Sequence, residues 1–106
     1  MVGMKIIWSD FASEILKEIY KYHKTVAGET VAQKIKMNIF ITTKQLLKLP
    51  QSGQIENSLI KIKEGHRYLV CGNYKIIYKE VAEGVLITDV FDTRQNPTKI
   101  NNSIEK

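Results

Sequence analysis

At Leu49-Pro50-Gln51-Ser52-Gly53 the hydrophobic spacing of this chain changes from helical to period two, and that change restricts its possible folds more than any other feature. Ahead of it, Phe11, Ile15, Ile19 and Tyr22 recur at helical spacing, with Ala12, Leu16 and His23 widening the stripe. Ser9-Asp10 supplies an N-cap and an acidic first turn, so a helix runs from about Ser9 to His23. Thr25 to Gly28 interrupts the pattern. A second helix, from about Glu29 to Lys48, places Val31, Ile35, Ile39, Thr42 or Thr43, and Leu46 on one face. So short a connection makes the two helices antiparallel neighbours, and Pro50 followed by Gly53 stops the second. Lys5-Ile6-Ile7-Trp8, ahead of the first helix, reads as a strand.

Behind the change lie short strands. Leu59 to Lys63 alternates and reads as an edge strand or an extended loop, and Glu64-Gly65 turns the chain into His66-Arg67-Tyr68-Leu69-Val70. Cys71-Gly72-Asn73 then makes a hairpin turn into a strand where Tyr74, Ile76 and Tyr78 alternate with Lys75, Ile77 and Lys79. Ala82-Glu83-Gly84 reverses the chain into Val85 to Phe91, rich in β-branched and aromatic residues, which ends at Asp92-Thr93-Arg94-Gln95-Asn96-Pro97. Helices then strands give an α+β fold: an N-terminal strand and an antiparallel helical hairpin packed on a small antiparallel β-sheet. One sheet face covers the hairpin. The other is expected to be free, with Arg67, Lys75 and Arg94 on it or its rim.

Residues 1–106 have the size of one domain, with Asn101 to Lys106 expected to fray. The longest apolar runs are far too short to span a bilayer, and no leader pattern precedes them, so neither membrane insertion nor export is expected. A lone cysteine, Cys71, fits a reducing cytoplasm, and as a residue it reads as a small filler of a turn or strand. The formal net charge of +5 favours an acidic partner, nucleic acid or protein. Eight of the sixteen basic residues, from Lys5 to Lys48, are mixed with carboxylates as on solvated helix faces.

No glycine-rich phosphate loop, paired-cysteine pattern, His-x-x-x-His helix or Gly-x-Ser-x-Gly elbow is present, so neither a metal nor a cofactor is expected. What remains is basic. Arg67 and Arg94 carry planar donor forks suited to phosphate or carboxylate, with Lys75 as a point charge between them; the same residues also serve as solvated strand residues that discourage edge pairing. His66 can exchange a proton near neutral pH, or stand as a surface histidine at a strand start. Asp89 and Asp92 can accept, and Asp92 also reads as a turn residue. Tyr74 and Tyr78 can stack on bases, but their parity with Ile76 favours the core, and Trp8 reads as a core anchor.

Together these residues resemble the RelE/ParE superfamily of toxins from bacterial type II toxin-antitoxin systems. The resemblance runs from Met4-Lys5-Ile6-Ile7-Trp8-Ser9, through Ala12, Leu16, Ile19 and Tyr22, to Gly65-x-Arg67-x-Leu69-x-x-Gly72-x-Tyr74-x-Ile76-x-Tyr78 and the Val90 to Pro97 segment. It implies a small twisted sheet under a helical hairpin, reads Met1 to Gly3 as an extension, and implies a cytoplasmic toxin held by a cognate antitoxin, with a homodimer or toxin-antitoxin hetero-oligomer possible. Members of the RelE branch cut messenger RNA on the ribosome, using basic residues and often a C-terminal tyrosine or a histidine-glutamate pair. On that reading Arg67, Lys75, Arg94, His66 and Asp92 would be catalytic. Yet Lys75 stands where that branch has an arginine, and nothing after Pro97 offers a tyrosine or histidine. The Gly-x-Arg-x-Leu-x-x-Gly-x-Tyr pattern looks closer to the ParE branch, whose members poison DNA gyrase, although ParE-like chains commonly have histidine where Asp92 stands. That branch makes Arg67, Lys75, Arg94 and Gln95 contacts to a target. A basic domain that binds nucleic acid without toxicity is the third reading.

Overall fold

Two helices pack on a five-stranded mixed sheet in the computed structural model, which describes residues 4–57 and 64–94. Strand β1 (Lys5–Trp8) leads into α1 (Asp10–Ala27), whose first turn is capped by the Ser9 hydroxyl accepting from the Ala12 N–H at 3.0 Å. The helix continues through Thr25 and stops only at Gly28, whose φ of 94° reverses the chain into α2 (Glu29–Lys44). A short 3-10 turn, Gln45–Leu47, follows. The sheet is completed by β2 (Gln54–Ile55), β3 (Arg67–Cys71), β4 (Tyr74–Val81) and β5 (Gly84–Asp92).

The spatial order is β1-β5-β4-β3-β2. Strands β2 to β5 pair antiparallel, whereas β1 runs parallel to β5, so the sheet is mixed rather than wholly antiparallel. No turn links β1 to β5. The helical hairpin and three strands intervene, and a crossover of that length permits parallel pairing. Gly84 is needed there, because a Cβ on it would collide with the Lys5 backbone.

The core lies between hairpin and sheet. Ala12, Leu16, Ile39 and Leu46 from the helical half meet Leu69, Ile76, Tyr78, Val85, Ile87 and Val90, with Tyr74 in the same cluster as its parity indicated. The buried helical stripe is centred on Ala12 and Leu16, while Tyr22 and Val31, expected on it, are exposed. Trp8 is half-buried and meets Phe40 edge to face at 5.4 Å.

The register carries one irregularity. Ile77 pairs with Asp89 and Tyr78 with Ile87, which leaves Thr88 unmatched, its hydroxyl donating to the Ile77 carbonyl at 3.3 Å. This bulge resets the alternation of β5. Val85 and Ile87 point to the helices, and beyond the bulge so does Val90, while Asp89 and Phe91 fall on the opposite face.

That opposite face is not free, contrary to expectation: Ile77, Asp89 and Phe91 on it are 0%, 3% and 6% exposed. Both described ends of the β2–β3 connection are tied to it. Glu56 pairs with Lys75 at 3.0 Å, and Glu64 with Lys79 at 2.8 Å. Met1 to Gly3, the alternating stretch Leu59 to Lys63, Gln95 to Pro97 and Asn101 to Lys106 lie outside the described residues.

Candidate functional site

Arg94 stands two residues past the end of β5, whose last residue, Asp92, pairs in register with Tyr74. The Asp92 carboxylate accepts from Arg94 three times: from the backbone N–H at 2.9 Å, from Nε at 3.0 Å and from Nη2 at 2.7 Å. The first of these is the turn role that the sequence suggested for Asp92. Thr93 ties the same segment to the β3–β4 turn, its N–H and hydroxyl both donating to the Asn73 carbonyl at 2.8 and 2.9 Å. The backbone beneath Arg94 is thus anchored twice. Its side chain stays 64% exposed, with the Nη1 end of the fork outside the Asp92 pair.

A second polar pair lies beside it. Tyr74, buried on the helix side, is within hydrogen-bond distance of His23 Nε2 at 2.9 Å, and Tyr22 stacks edge to face on His23. Arg94 hydrogen bonding holds the Asp92 carboxyl below its usual range, and Asp92 in turn raises the Arg94 guanidinium. Burial pushes the Tyr74 phenol up, and the Asp92 charge adds to that.

Arg94, Tyr74 and Tyr22 separate two concavities. One, of about 510 Å³, runs between Phe11, Ile15 and Ile19 of α1 and the end of β5; the other, of about 340 Å³, runs between Val26, Ile35 and Ile39 and the β3–β4 turn. The first is also lined by Glu18, Asp89 and Asp92 and the second by His23, Asn38 and Asn73. Such mainly apolar walls, with a few polar groups and one exposed guanidinium between them, suit the anchor side chains of a partner protein.

The other expected site residues are elsewhere. Arg67 pairs with Tyr78 and shares the parity of Leu69, so it lies on the helix side, where Nη1 donates to the Gly53 carbonyl at 2.9 Å. Lys75 lies on the opposite face, paired with Glu56 and 4.3 Å from the Tyr68 ring centre. His66 is 3% exposed rather than a surface residue, and neither ring nitrogen has a hydrogen-bond partner among the described residues. Burial holds its pKa below the ordinary value, and nearby Lys79 adds to that, while Glu64, 3.8 Å away, opposes it. The structure therefore joins Arg94 to Asp92 and separates both from Lys75 and His66. Gln95 lies outside the described residues.

Sequence reading missed the His23–Tyr74 pair. The two are 51 positions apart, and each fits a helix stripe or strand alternation, so no local pattern marks them.

Residues 6–97 match the sequence model described as ParE toxin of type II toxin-antitoxin system, parDE. The fold is similar to a solved structure described as the chromosomal ParDE TA system from P. aeruginosa, with a TM-score of 0.73 and 19% identity, covering 87% of this chain and 98% of that one. At such identity the likeness is one of fold. No curated protein sequence matches the chain.

Proposed function

Because the chain belongs to the ParE toxin family of type II toxin-antitoxin systems, we propose that it arrests bacterial growth in the cytoplasm by docking on DNA gyrase and poisoning it, and that a cognate antitoxin holds it inactive. The observation that carries this reading is the family match, which extends from β1 past Arg94 and so includes every element that builds the site.

The arrangement of the cations supports docking over catalysis. Cutting RNA requires groups that converge on one phosphate, to activate the 2′-hydroxyl, stabilise the phosphorane and protonate the leaving oxygen. Here Arg67 and Lys75 sit on opposite faces of the sheet, and each of Arg67, Lys75 and Arg94 is engaged by its own acceptor, the Gly53 carbonyl, Glu56 and Asp92. Arg94 is the most open of the described expected contacts and is flanked by two largely apolar concavities, a recognition geometry. An antitoxin segment that is acidic and disordered when free complements the +5 net charge and gains its order on binding.

The test is induction of the protein in a bacterial host with DNA and messenger RNA followed in parallel. Gyrase-dependent DNA cleavage with whole transcripts is expected. Transcripts cut at codon boundaries on undamaged DNA would refute gyrase as the target and give the ribosome-dependent endonuclease instead. Co-expression with the product of the adjoining reading frame should restore growth and yield a co-purifying hetero-oligomer.

A further inference from the structure

A groove of about 570 Å³ lies along the helical hairpin and beside Trp8, and its lining includes none of the residues placed in the Arg94 site. Lys17, Lys21, Lys24 and Lys36 line it. The first three follow one another at i, i+4 and i+7 on α1, which spaces their backbone positions about 6 and about 4.5 Å apart along about 10 Å of helix axis. Lys36 faces them from α2 and is held 5.3 Å from the ring centre of Tyr20. Among the described residues no carboxylate lines the groove. Glu14 meets Lys17 at 3.3 Å, in an exposed i,i+3 pair that binds weakly and is readily exchanged, and Glu29 accepts from the Tyr20 hydroxyl at 3.3 Å.

The apolar lining is mainly aromatic. Trp8, Tyr20 and Phe40 are each partly buried, Trp8 and Phe40 with one side packed against the core, and keep part of each ring at the groove, whereas Leu16, the aliphatic residue among them, is only 7% exposed and has little surface left to give. Rows of ammonium groups beside aromatic rings suit an extended nucleic-acid strand, whose phosphates take point charges without sequence preference and whose unpaired bases take ring contacts. A duplex would hide its bases and leave the rings unused. An acidic peptide is served less well, because the cations are all lysine, with no arginine fork to grip a carboxylate in two places, and because aliphatic side chains find rings rather than an aliphatic floor.

We propose that this groove is a binding site for single-stranded nucleic acid, with phosphates on Lys17, Lys21, Lys24 and Lys36 and bases against Trp8 and Phe40. It stands apart from the toxin reading and survives or fails independently of it.

The test uses the purified full chain and a labelled oligothymidylate of about twelve nucleotides, within the site sizes of single-strand-binding modules. Binding is followed by anisotropy and by quenching of Trp8, the only tryptophan in the chain, over a series of salt concentrations. Four phosphate contacts give a slope of log affinity against log salt of about −2.8, and K21Q/K24Q should halve it to about −1.4. The control K44Q/K48Q removes the same charge from exposed positions outside the groove and should leave the slope and the quenching unchanged. Both pairs are surface changes, and circular dichroism verifies that each folds. An abasic strand of equal length should bind several-fold more weakly and quench less. The proposal is overturned if the two double variants behave alike, if the abasic strand binds as tightly as the oligothymidylate, or if an equally long polyglutamate displaces the oligonucleotide at equal concentration.

Discussion

Tyr78→Phe removes one oxygen atom from a buried polar contact between the strands and the loop that follows the helices. Tyr78 is fully buried, and its hydroxyl accepts the Gly53 N–H at 2.8 Å. Gly53 is pressed so closely on it that a Cβ there would stand 2.5 Å from the phenol oxygen, while the Gly53 carbonyl takes the Arg67 guanidinium at 2.9 Å. The variant keeps the ring and its packing but leaves a buried N–H without its acceptor, a loss of about 1–3 kcal/mol. For a small domain with a urea slope of about 2 kcal/mol/M, the midpoint should fall by about 0.5–1.5 M with the slope unchanged. The pH axis gives a second reading. Burial raises the Tyr78 phenol above its ordinary value of 10.0, with the Gly53 hydrogen bond and Arg67 opposing. A group whose folded pKa is raised contributes stability below its unfolded pKa and loses it as pH rises through the folded value. Native protein should therefore weaken above about pH 10 more steeply than Tyr78→Phe, which retains only the similar contribution of Tyr74. Urea melts at neutral and alkaline pH measure both. A midpoint within about 0.2 M of native, or equal alkaline slopes, would refute the role given to this hydroxyl.

His66 carries the opposite sign: its folded pKa lies below the ordinary 6.5, so its contribution is complete above that pH and is lost as pH falls, whereas the lowered Glu64 and Asp92 act only below their own ordinary values of 4.5 and 3.8. His66→Phe should keep stability at pH 8 and flatten the melting-temperature profile just below about pH 6.5, and an unchanged profile would count against the burial argument. Gly84→Ala puts a methyl group into the Lys5 backbone at a φ of 149° and should cost on the order of 2 kcal/mol or more, with early hydrogen exchange confined to β1; a native-like melting temperature would disprove the close approach. Arg94→Ala should leave the melting temperature unchanged, since its ion pair is exposed, yet reduce growth arrest about tenfold or more. Full toxicity with normal antitoxin binding would remove Arg94 from the target contact.

Local chemistry made much of the architecture legible. Ser9 caps α1, Pro50 and Gly53 follow the end of the helical half, and the parity of Tyr74, Ile76 and Tyr78 put all three in the core, because each depends on neighbours within a few residues. Arg94 at the end of a strand and Asp92 as its turn partner were legible for the same reason. The face of Arg67 was not, although its parity with Leu69 was present in the chain, because that face acquires meaning only once β3 is in register with β4. The occupied outer face was hidden as well. Glu56 and Glu64 reach Lys75 and Lys79 across 19 and 15 positions, a pairing that no periodicity announces.

By itself, then, the sequence determined the two helices, the strands β1, β3, β4 and β5, their order and the division into a helical and a strand half, since helix and strand periods arise from the backbone geometry of successive residues. It did not determine β2, whose two residues are too few to show a period. Only the tertiary structure decided which residues share a site. The unmatched Thr88 sends Asp89 and Phe91 outward, and the register beyond it sets Asp92 opposite Tyr74, itself tied to His23 from α1. A single inserted residue changes the facing of everything after it while leaving composition and local pattern untouched, and its position is chosen by which side chains the helices can bury.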